Sequence, residues 1–180
     1  MSDPSRGAAE EGAGWLYLIG LGGNVFNARH GQPRARIATT FELLDEAPLR
    51  LVARSTIVQS APLGPSRRRF ANGAALVRTA LPPPVLLSHL QRMERNAGRR
   101  RGQRWGARPL DLDIILWSGG IWRSPELTIP HASFCERLFV LAPAREIAAA
   151  WRHPISGRTI AQLHRRLARP KPLDRLAPSF

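Results

Sequence analysis

The sequence predicts one α+β domain in which helices cover a mainly antiparallel sheet. Apolar runs of strand length alternate unevenly with runs of helical spacing. The connections between them include short turns, typical of hairpins, as well as longer crossovers. A chain of 180 residues is long enough to bury one core. We therefore expect a single domain over residues 15–169, a flexible N-terminal tail over 1–14 and an irregular C-terminal tail over 170–180.

The first half of the chain predicts three strands and one helix. Residues 15–21 form a continuous apolar run, which is typical of a buried central strand. Residues 34–47 carry apolar side chains at helical spacing, and Pro48 ends that helix. Residues 49–59 alternate unevenly between apolar and polar side chains and predict a second strand. The run at residues 70–77 predicts a third.

The second half predicts three helices around one further strand. Residues 83–97 begin with prolines and place their apolar side chains near one side, so they predict a helix that Gly98 ends. Residues 138–151 and 159–167 predict two more helices, joined by a turn over residues 153–157. The remaining strand is predicted at residues 110–117 and contains two aspartates.

Composition limits the classes of protein that this chain can belong to. Its net charge is +14, and every basic residue except Lys171 is an arginine, which favours polyanionic partners such as nucleotides. A hydrophobic content of 43% excludes a disordered chain. The single cysteine, Cys135, excludes an internal disulfide and is typical of a reducing compartment. No apolar run is long enough to cross a bilayer, so we expect a cytoplasmic protein without a membrane partner.

The segment from residue 99 to residue 117 places arginines directly before two aspartates. Residues 110–117 are rich in branched aliphatic side chains and predict a buried strand. Because side chains alternate along a strand, Asp111 and Asp113 should share one face, opposite Leu112, Ile114 and Leu116 in the core. Two close carboxylates repel each other unless a cation compensates them, and Mg²⁺ is usually held by carboxylates and substrate phosphates. The segment therefore predicts a magnesium–polyphosphate site in which arginines bind the phosphates.

Each part of this segment also has a simpler interpretation. An Asp-x-Asp pair at the start of a strand is common without a metal, and an arginine run is most often a solvated face or a nucleic-acid patch. The rival function is an RNA-binding module on a sheet of the same type. The sequence lacks the aromatic strand that RNA-binding sheets need, and Asp111 and Asp113 would repel a nucleic-acid backbone. We therefore expect no nucleic-acid partner.

Residues 104–115 (RWGARPLDLDII) resemble the signature of the 6-hydroxymethyl-7,8-dihydropterin pyrophosphokinase family. Further blocks at residues 22–24, 62–72 and 127–131 follow in the family's order, and the resemblance extends over residues 16–147. It implies a ferredoxin-like core and transfer of the pyrophosphoryl group of ATP to the hydroxymethyl group of a dihydropterin, in folate biosynthesis. ATP and the dihydropterin would be the partners of a monomeric enzyme.

The resemblance also implies three sets of site residues. The catalytic set is Arg99, Arg108, Asp111 and Asp113, of which the two aspartates hold two Mg²⁺ ions. The ATP-binding set is Gln91, Glu94, Arg101, Arg104, Trp105, Ile114, Thr128, His131 and Arg137. The pterin-binding set is Ser60, Leu63, Phe70, Asn72 and Phe139, in which the two rings stack on the pterin and the amide reads its edge.

The sequence departs from the family pattern in three places. Gly23 replaces the usual serine, and Ala132 replaces a proline or a larger residue, which removes one expected contact with ATP. Residues 67–69 are three arginines in a loop that is commonly acidic or neutral. These departures leave open how the loops close over the substrates.

Overall fold

The computed structural model describes residues 14–24, 32–60, 70–98 and 109–169. The strands are β1 (Trp15–Gly23), β2 (Arg50–Arg54), β3 (Val58–Ser60), β4 (Phe70–Thr79), β5 (Asp111–Trp117), β6 (Trp122–Arg123) and β7 (Thr128–Ile129). The helices are α1 (Pro33–Leu43), α2 (Pro83–Asn96), α3 (Leu138–Ala148) and α4 (Ile160–Ala168), with a 3₁₀ turn at Phe134–Glu136. The predicted tails lie outside the described residues except for Gly14, so the domain limits remain predictions.

Strand β1 is the centre of an antiparallel sheet. It pairs with β4 on one side and with β5 on the other, while β2 and β3 both pair with the far edge of β4. Along the chain the pattern is strand, helix, paired strands, helix, strand, which is the ferredoxin-like arrangement. The predicted α+β fold with a mainly antiparallel sheet is confirmed.

Helices pack on both faces of this sheet. On one face α1 and α2 contribute Ile37, Phe41, Leu86 and Leu90 to a core that includes the β1 side chains of Tyr17, Ile19 and Leu21. On the other face α3 and α4 contribute Leu141, Ala144, Ile160 and Leu163 to a second core around Leu18, Ala74 and Leu116. Within the described ranges, no helix is long and apolar enough to cross a membrane.

Two local features of the sheet differ from the predictions. The predicted strand at residues 49–59 is two strands, because Ser55 interrupts it. The Ser55 hydroxyl accepts a 2.9 Å hydrogen bond from the Ala74 amide. In a regular antiparallel pair of strands, a main-chain carbonyl oxygen would accept that hydrogen bond. In β5, a bulge at Ile115 shifts the register, since Ile19 pairs with Ile114 but Leu18 pairs with Leu116.

The bulge overturns one prediction about the core. Leu112 and Ile114 pack beneath α1 and α2, opposite the aspartates, as alternation predicts. Leu116 packs in the α3 and α4 core instead, because the extra residue reverses the alternation beyond it. The helices begin within two residues of their predicted starts, although α1 and α3 end earlier than predicted.

Candidate active site

Asp111 and Asp113 lie on the sheet face opposite the α1 and α2 core. In the ladder they pair with Gly22 and Gly20 of β1, and residues directly opposite each other point to the same face. The two glycines place no side chain beside the carboxylates, which are both half-buried. The alternation of β5 places both carboxylates along one side of a groove at Gly22, whereas the Ile115 side chain packs over Gly20, where a Cβ would lie 3.2 Å from the Ile115 Cδ1 atom.

Asn72 borders the same groove from strand β4. It pairs with Gly22 across β1 and is only 4% exposed. A Cβ built on Gly22 would lie 3.5 Å from the Asn72 Oδ1 atom, so the amide oxygen lies beside the glycine backbone. Asn72 and Asp111 therefore flank Gly22 from opposite sides, and Phe70 follows on β4 next to Ser60 of β3.

His131 is fixed against the outer edge of β5. Its amide donates a 3.1 Å hydrogen bond to the Ile115 carbonyl oxygen, which attaches the segment after β7 to the aspartate strand. The His131 Nδ1 atom accepts a 3.3 Å hydrogen bond from the Ser133 amide. In a neutral imidazole the proton then lies on Nε2, which can donate to an anionic ligand. Thr128 is exposed on β7 nearby.

Arg137 and Phe139 lie at the start of α3. Arg137 is the residue that precedes the helix, and its guanidinium carbon is 6.0 Å from the centroid of the Phe139 ring. Both residues are partly exposed. Since the guanidinium covers one face of the ring, a flat ligand that stacks on Phe139 would use the other face.

Glu94 of α2 supports the aspartate strand from the edge that does not pair with β1. It is only 3% exposed, and its Oε1 atom accepts a 2.8 Å hydrogen bond from the amide of Leu112, the residue between the two aspartates. Ile114 is 2% exposed and lies in the core, so a contact between ATP and this residue would use its main chain. Gln91 is exposed on α2.

Asp111 and Asp113 suit magnesium better than a transition metal. No group of three or more His, Cys, Asp or Glu side chains forms a metal cluster in the part of the chain that the structure describes. Zinc is usually held by three or four such side chains. Mg²⁺ is usually bound by one or two carboxylates and takes its other ligands from water and substrate phosphates, which fits this pair.

A family model described as 7,8-dihydro-6-hydroxymethylpterin-pyrophosphokinase (HPPK) matches residues 18–149. The chain belongs to this family. The pyrophosphokinase of the same name from Synechocystis sp. is 39% identical over 146 residues, which cover 81% of this chain and 73% of the relative. The Pseudomonas aeruginosa relative is 40% identical over 147 residues, covering 81% and 87%.

A solved structure of HPPK-DHPS from Plasmodium falciparum shares the fold. It superposes with a TM-score of 0.60 at 14% sequence identity and covers 87% of this chain. The match extends over 43% of that longer chain, which carries two named parts. This likeness supports the fold, while the family model and the two curated relatives confirm the family resemblance stated from the motif at residues 104–115.

Several predicted HPPK site residues lie outside the described residues: Leu63, Arg99, Arg101, Arg104, Trp105 and Arg108. The structure places only some of the described members beside the groove. Asp111, Asp113 and Asn72 border the groove directly, and Ser60 is described only through its backbone, which pairs with Phe70.

Gln91 and Glu94 lie on the α2 side of β5, away from the carboxylate face. Their roles in binding ATP remain predictions.

Arg36 of α1 is a supporting residue that the sequence analysis missed. It is 5% exposed, and its Nη1 atom donates a hydrogen bond to the Pro109 carbonyl oxygen, just before the aspartate strand begins. Burial lowers the pKa of its guanidinium from the usual value. The sequence contained one signal for this role. Arg36 precedes Ile37 and lies four residues before Thr40, on the inward side of the predicted helix. A charged side chain that is buried there needs a hydrogen-bonding partner.

Replacing Glu94 with alanine should destabilise the fold. The Leu112 amide would lose its acceptor in a buried place, so we expect the free energy of unfolding to fall by about 1–3 kcal/mol. Glu94→Gln keeps an acceptor oxygen and should lose much less. Urea denaturation of the two variants measures this difference. Equal stability of Glu94→Ala and the wild type would contradict the supporting role.

Proposed function

We propose that this chain transfers the β,γ-pyrophosphoryl group of ATP to the hydroxymethyl group of 6-hydroxymethyl-7,8-dihydropterin. The products are AMP and the pterin diphosphate, an intermediate of folate biosynthesis. The observation that carries the proposal is the groove in which Asp111, Asp113 and the Asn72 amide flank the glycines of β1. Membership of the HPPK family supports the choice of both substrates.

The groove divides into a pterin side and a nucleotide side. Asn72 and Phe70 lie on β4, while the aspartates lie on β5 and His131 lies at its outer edge. Because β1 separates β4 from β5, two strand spacings of about 4.8 Å place these sides about 10 Å apart. A flat bicyclic ring held at β4 can therefore extend its hydroxymethyl group towards phosphates held at β5.

Magnesium is the cofactor that we propose for the nucleotide side. Asp111 and Asp113 would hold two Mg²⁺ ions together with the phosphates of ATP. When bound, magnesium withdraws negative charge from the phosphates and so favours attack at phosphorus. Residues 99–108 include five arginines close in sequence to this pair, and guanidinium groups can neutralise the remaining phosphate charge in bidentate contacts.

The protein's own part in catalysis is to position the reactants and exclude water. Phosphoryl transfer depends mostly on alignment and charge neutralisation, with little covalent chemistry for the protein to perform. The Asn72 amide can recognise the pterin edge, and the rings of Phe70 and Phe139 can stack on its faces. Exclusion of water matters because hydrolysis of ATP competes with transfer.

The distribution of nucleotide products tests the proposed reaction. Incubation with ATP, Mg²⁺ and the hydroxymethyl-dihydropterin should give AMP, and omission of either the pterin or Mg²⁺ should stop its formation. Chromatography separates AMP from ADP. Formation of ADP, or of AMP without the pterin, would contradict the proposal.

Phe70→Ala and Phe139→Ala should each weaken pterin binding. Loss of stacking and of buried apolar area is expected to cost about 1–3 kcal/mol of binding free energy, with a much smaller change for ATP. Calorimetry with the pterin and with ATP measures the binding free energy of each ligand. Phe134→Leu is a matched control, because Phe134 is fully buried and stacks on His153; it should lower stability and leave pterin affinity unchanged. Equal losses for ATP and pterin would show that Phe70 and Phe139 are core residues.

We further propose that the enzyme acts as a monomer in the cytoplasm without a nucleic-acid partner. The family resemblance over residues 16–147 implies a monomer. A single cysteine suits a reducing compartment. Sedimentation at micromolar concentration tests the oligomeric state.

A further inference from the structure

We propose that Glu146 is a positioning residue that sets the distance between the two aromatic walls of the pterin site through its contact with Thr56. Glu146 lies on α3, and Thr56 lies between β2 and β3. The inference rests on the proposed function, because it concerns the geometry of the proposed pterin site. It assigns a role to a residue that lies outside every motif in the sequence analysis.

Both oxygens of the Glu146 carboxylate bind Thr56. The Thr56 amide donates a 2.7 Å hydrogen bond to Oε2. The Thr56 hydroxyl lies 2.8 Å from Oε1 and 3.0 Å from Oε2, and donates to the carboxylate. Hydrogen bonds to an ionised acceptor are shorter and stronger than neutral ones. Because two donors meet one planar group, the contact restrains both the distance and the orientation of α3 relative to Thr56.

The α3 end of this contact is linked to the Phe139 wall. Phe139 and Glu146 are seven residues apart on the same helix, which is about two turns, so they lie along one side of α3. Pro143 lies between the two residues and cannot donate the main-chain hydrogen bond to the Phe139 carbonyl. The link from Glu146 to the Phe139 ring therefore runs through the remaining hydrogen bonds of α3, and a shift of Glu146 along the sheet would move the ring through them.

The Thr56 end is linked to the opposite wall. Strand β3 begins two residues after Thr56 and pairs with β4, where Val58 lies opposite Asn72 and Ser60 opposite Phe70. The preceding residue, Ser55, is fixed to β4 as well. Its amide donates a 2.9 Å hydrogen bond to the Ala74 carbonyl oxygen, and its hydroxyl accepts one from the Ala74 amide.

The contact therefore joins the element that carries Phe139 to the strands that carry Phe70 and Asn72. Glu146 and Thr56 are both exposed. Hydrogen bonds and ion pairs at the surface contribute little to stability, so we expect their main effect to be on the spacing of the site. Misplacement of a binding group by about 1 Å can cost a large part of the activity.

Steady-state kinetics with Glu146→Ala and two Thr56 variants tests this role. Glu146→Ala should raise the KM for the pterin about tenfold and the KM for ATP by less than about twofold, with little change in melting temperature. Thr56→Val keeps the amide donor but loses the hydroxyl, and should show a smaller rise. Thr56→Ser keeps both donors and should restore wild-type kinetics.

Glu42→Ala is the matched control, because Glu42 is an exposed glutamate of α1 on the opposite side of the sheet; it should leave both KM values unchanged. A lower melting temperature of Glu146→Ala with an unchanged KM for the pterin would overturn the inference, as would equal rises for ATP and pterin. If the wild-type chain makes no AMP, the proposed function and this inference are both overturned. If the wild-type chain is active and Glu146→Ala has the same KM values as the wild type, the inference alone is overturned.

Discussion

Asp111→Asn and Asp113→Asn are each expected to reduce turnover by at least about two to three orders of magnitude while the chain stays folded. Each change removes a negative ligand oxygen from the proposed magnesium site and keeps the size of the side chain. Both residues face the groove, and the core packs against Leu112 and Ile114 on the other face of β5. The fold should therefore survive, and relief of the repulsion between two carboxylates can even raise its stability.

Turnover measured over a range of Mg²⁺ concentrations, together with melting temperatures, separates these two effects. Glu42→Gln removes an exposed carboxylate of α1 and should match the wild type. If either aspartate variant kept near wild-type turnover at limiting Mg²⁺, the proposed metal site would be wrong.

Arg108→Lys is expected to reduce turnover by about three orders of magnitude although it preserves the charge. Arg108 precedes Pro109, whose carbonyl is held by the buried Arg36, and it lies three residues before Asp111 in sequence. An arginine that grips a phosphate uses two parallel donors, which the ammonium group of lysine cannot reproduce. An arginine that only attracts a nucleic-acid backbone contributes charge alone, so its replacement by lysine should have little effect.

The assay combines turnover with ATP and filter binding to RNA over a series of salt concentrations. Arg166→Lys is the control: Arg166 is an exposed arginine of α4, whose core contacts come from Ile160 and Leu163. Unchanged turnover of Arg108→Lys, with strong and salt-dependent RNA binding, would favour the nucleic-acid interpretation of the arginine run.

Local patterns predicted the elements that carry the site. The shared face of Asp111 and Asp113 follows from strand alternation alone. Helix α2 begins at Pro83 and ends just before Gly98, as expected, and Gly98 has the positive φ of 93° that glycine adopts readily after a helix. These features depend on residues that are close in sequence, which explains why they could be predicted.

Features that depend on partners distant in sequence could not be predicted in this way. The bulge at Ile115 exists only in the pairing with β1, and Ser55 interrupts a strand only because Ala74 lies opposite it. The same holds for Glu146, whose partner Thr56 is 90 residues away in sequence. Nothing in the local pattern of a single chain specifies which distant residue a side chain meets.

The position of Asn72 shows the same limit within the candidate site. Its role came from the family resemblance, since an asparagine in a strand is most often a structural hydrogen-bonding residue. Its place across Gly22 from Asp111 follows from the strand order, which puts β1 between β4 and β5. The groove thus depends on Gly22 of β1 as much as on the polar residues beside it.

Transfer of a label from the β-phosphate of ATP tests the central claim most directly. ATP labelled at that phosphate is incubated with Mg²⁺, the hydroxymethyl-dihydropterin and either the wild type or Asp111→Asn, and the products are separated. With the wild type we expect the label in the pterin diphosphate and unlabelled AMP, and with Asp111→Asn we expect it to stay in ATP. Label recovered in ADP, or equal transfer by the two proteins, would contradict the account.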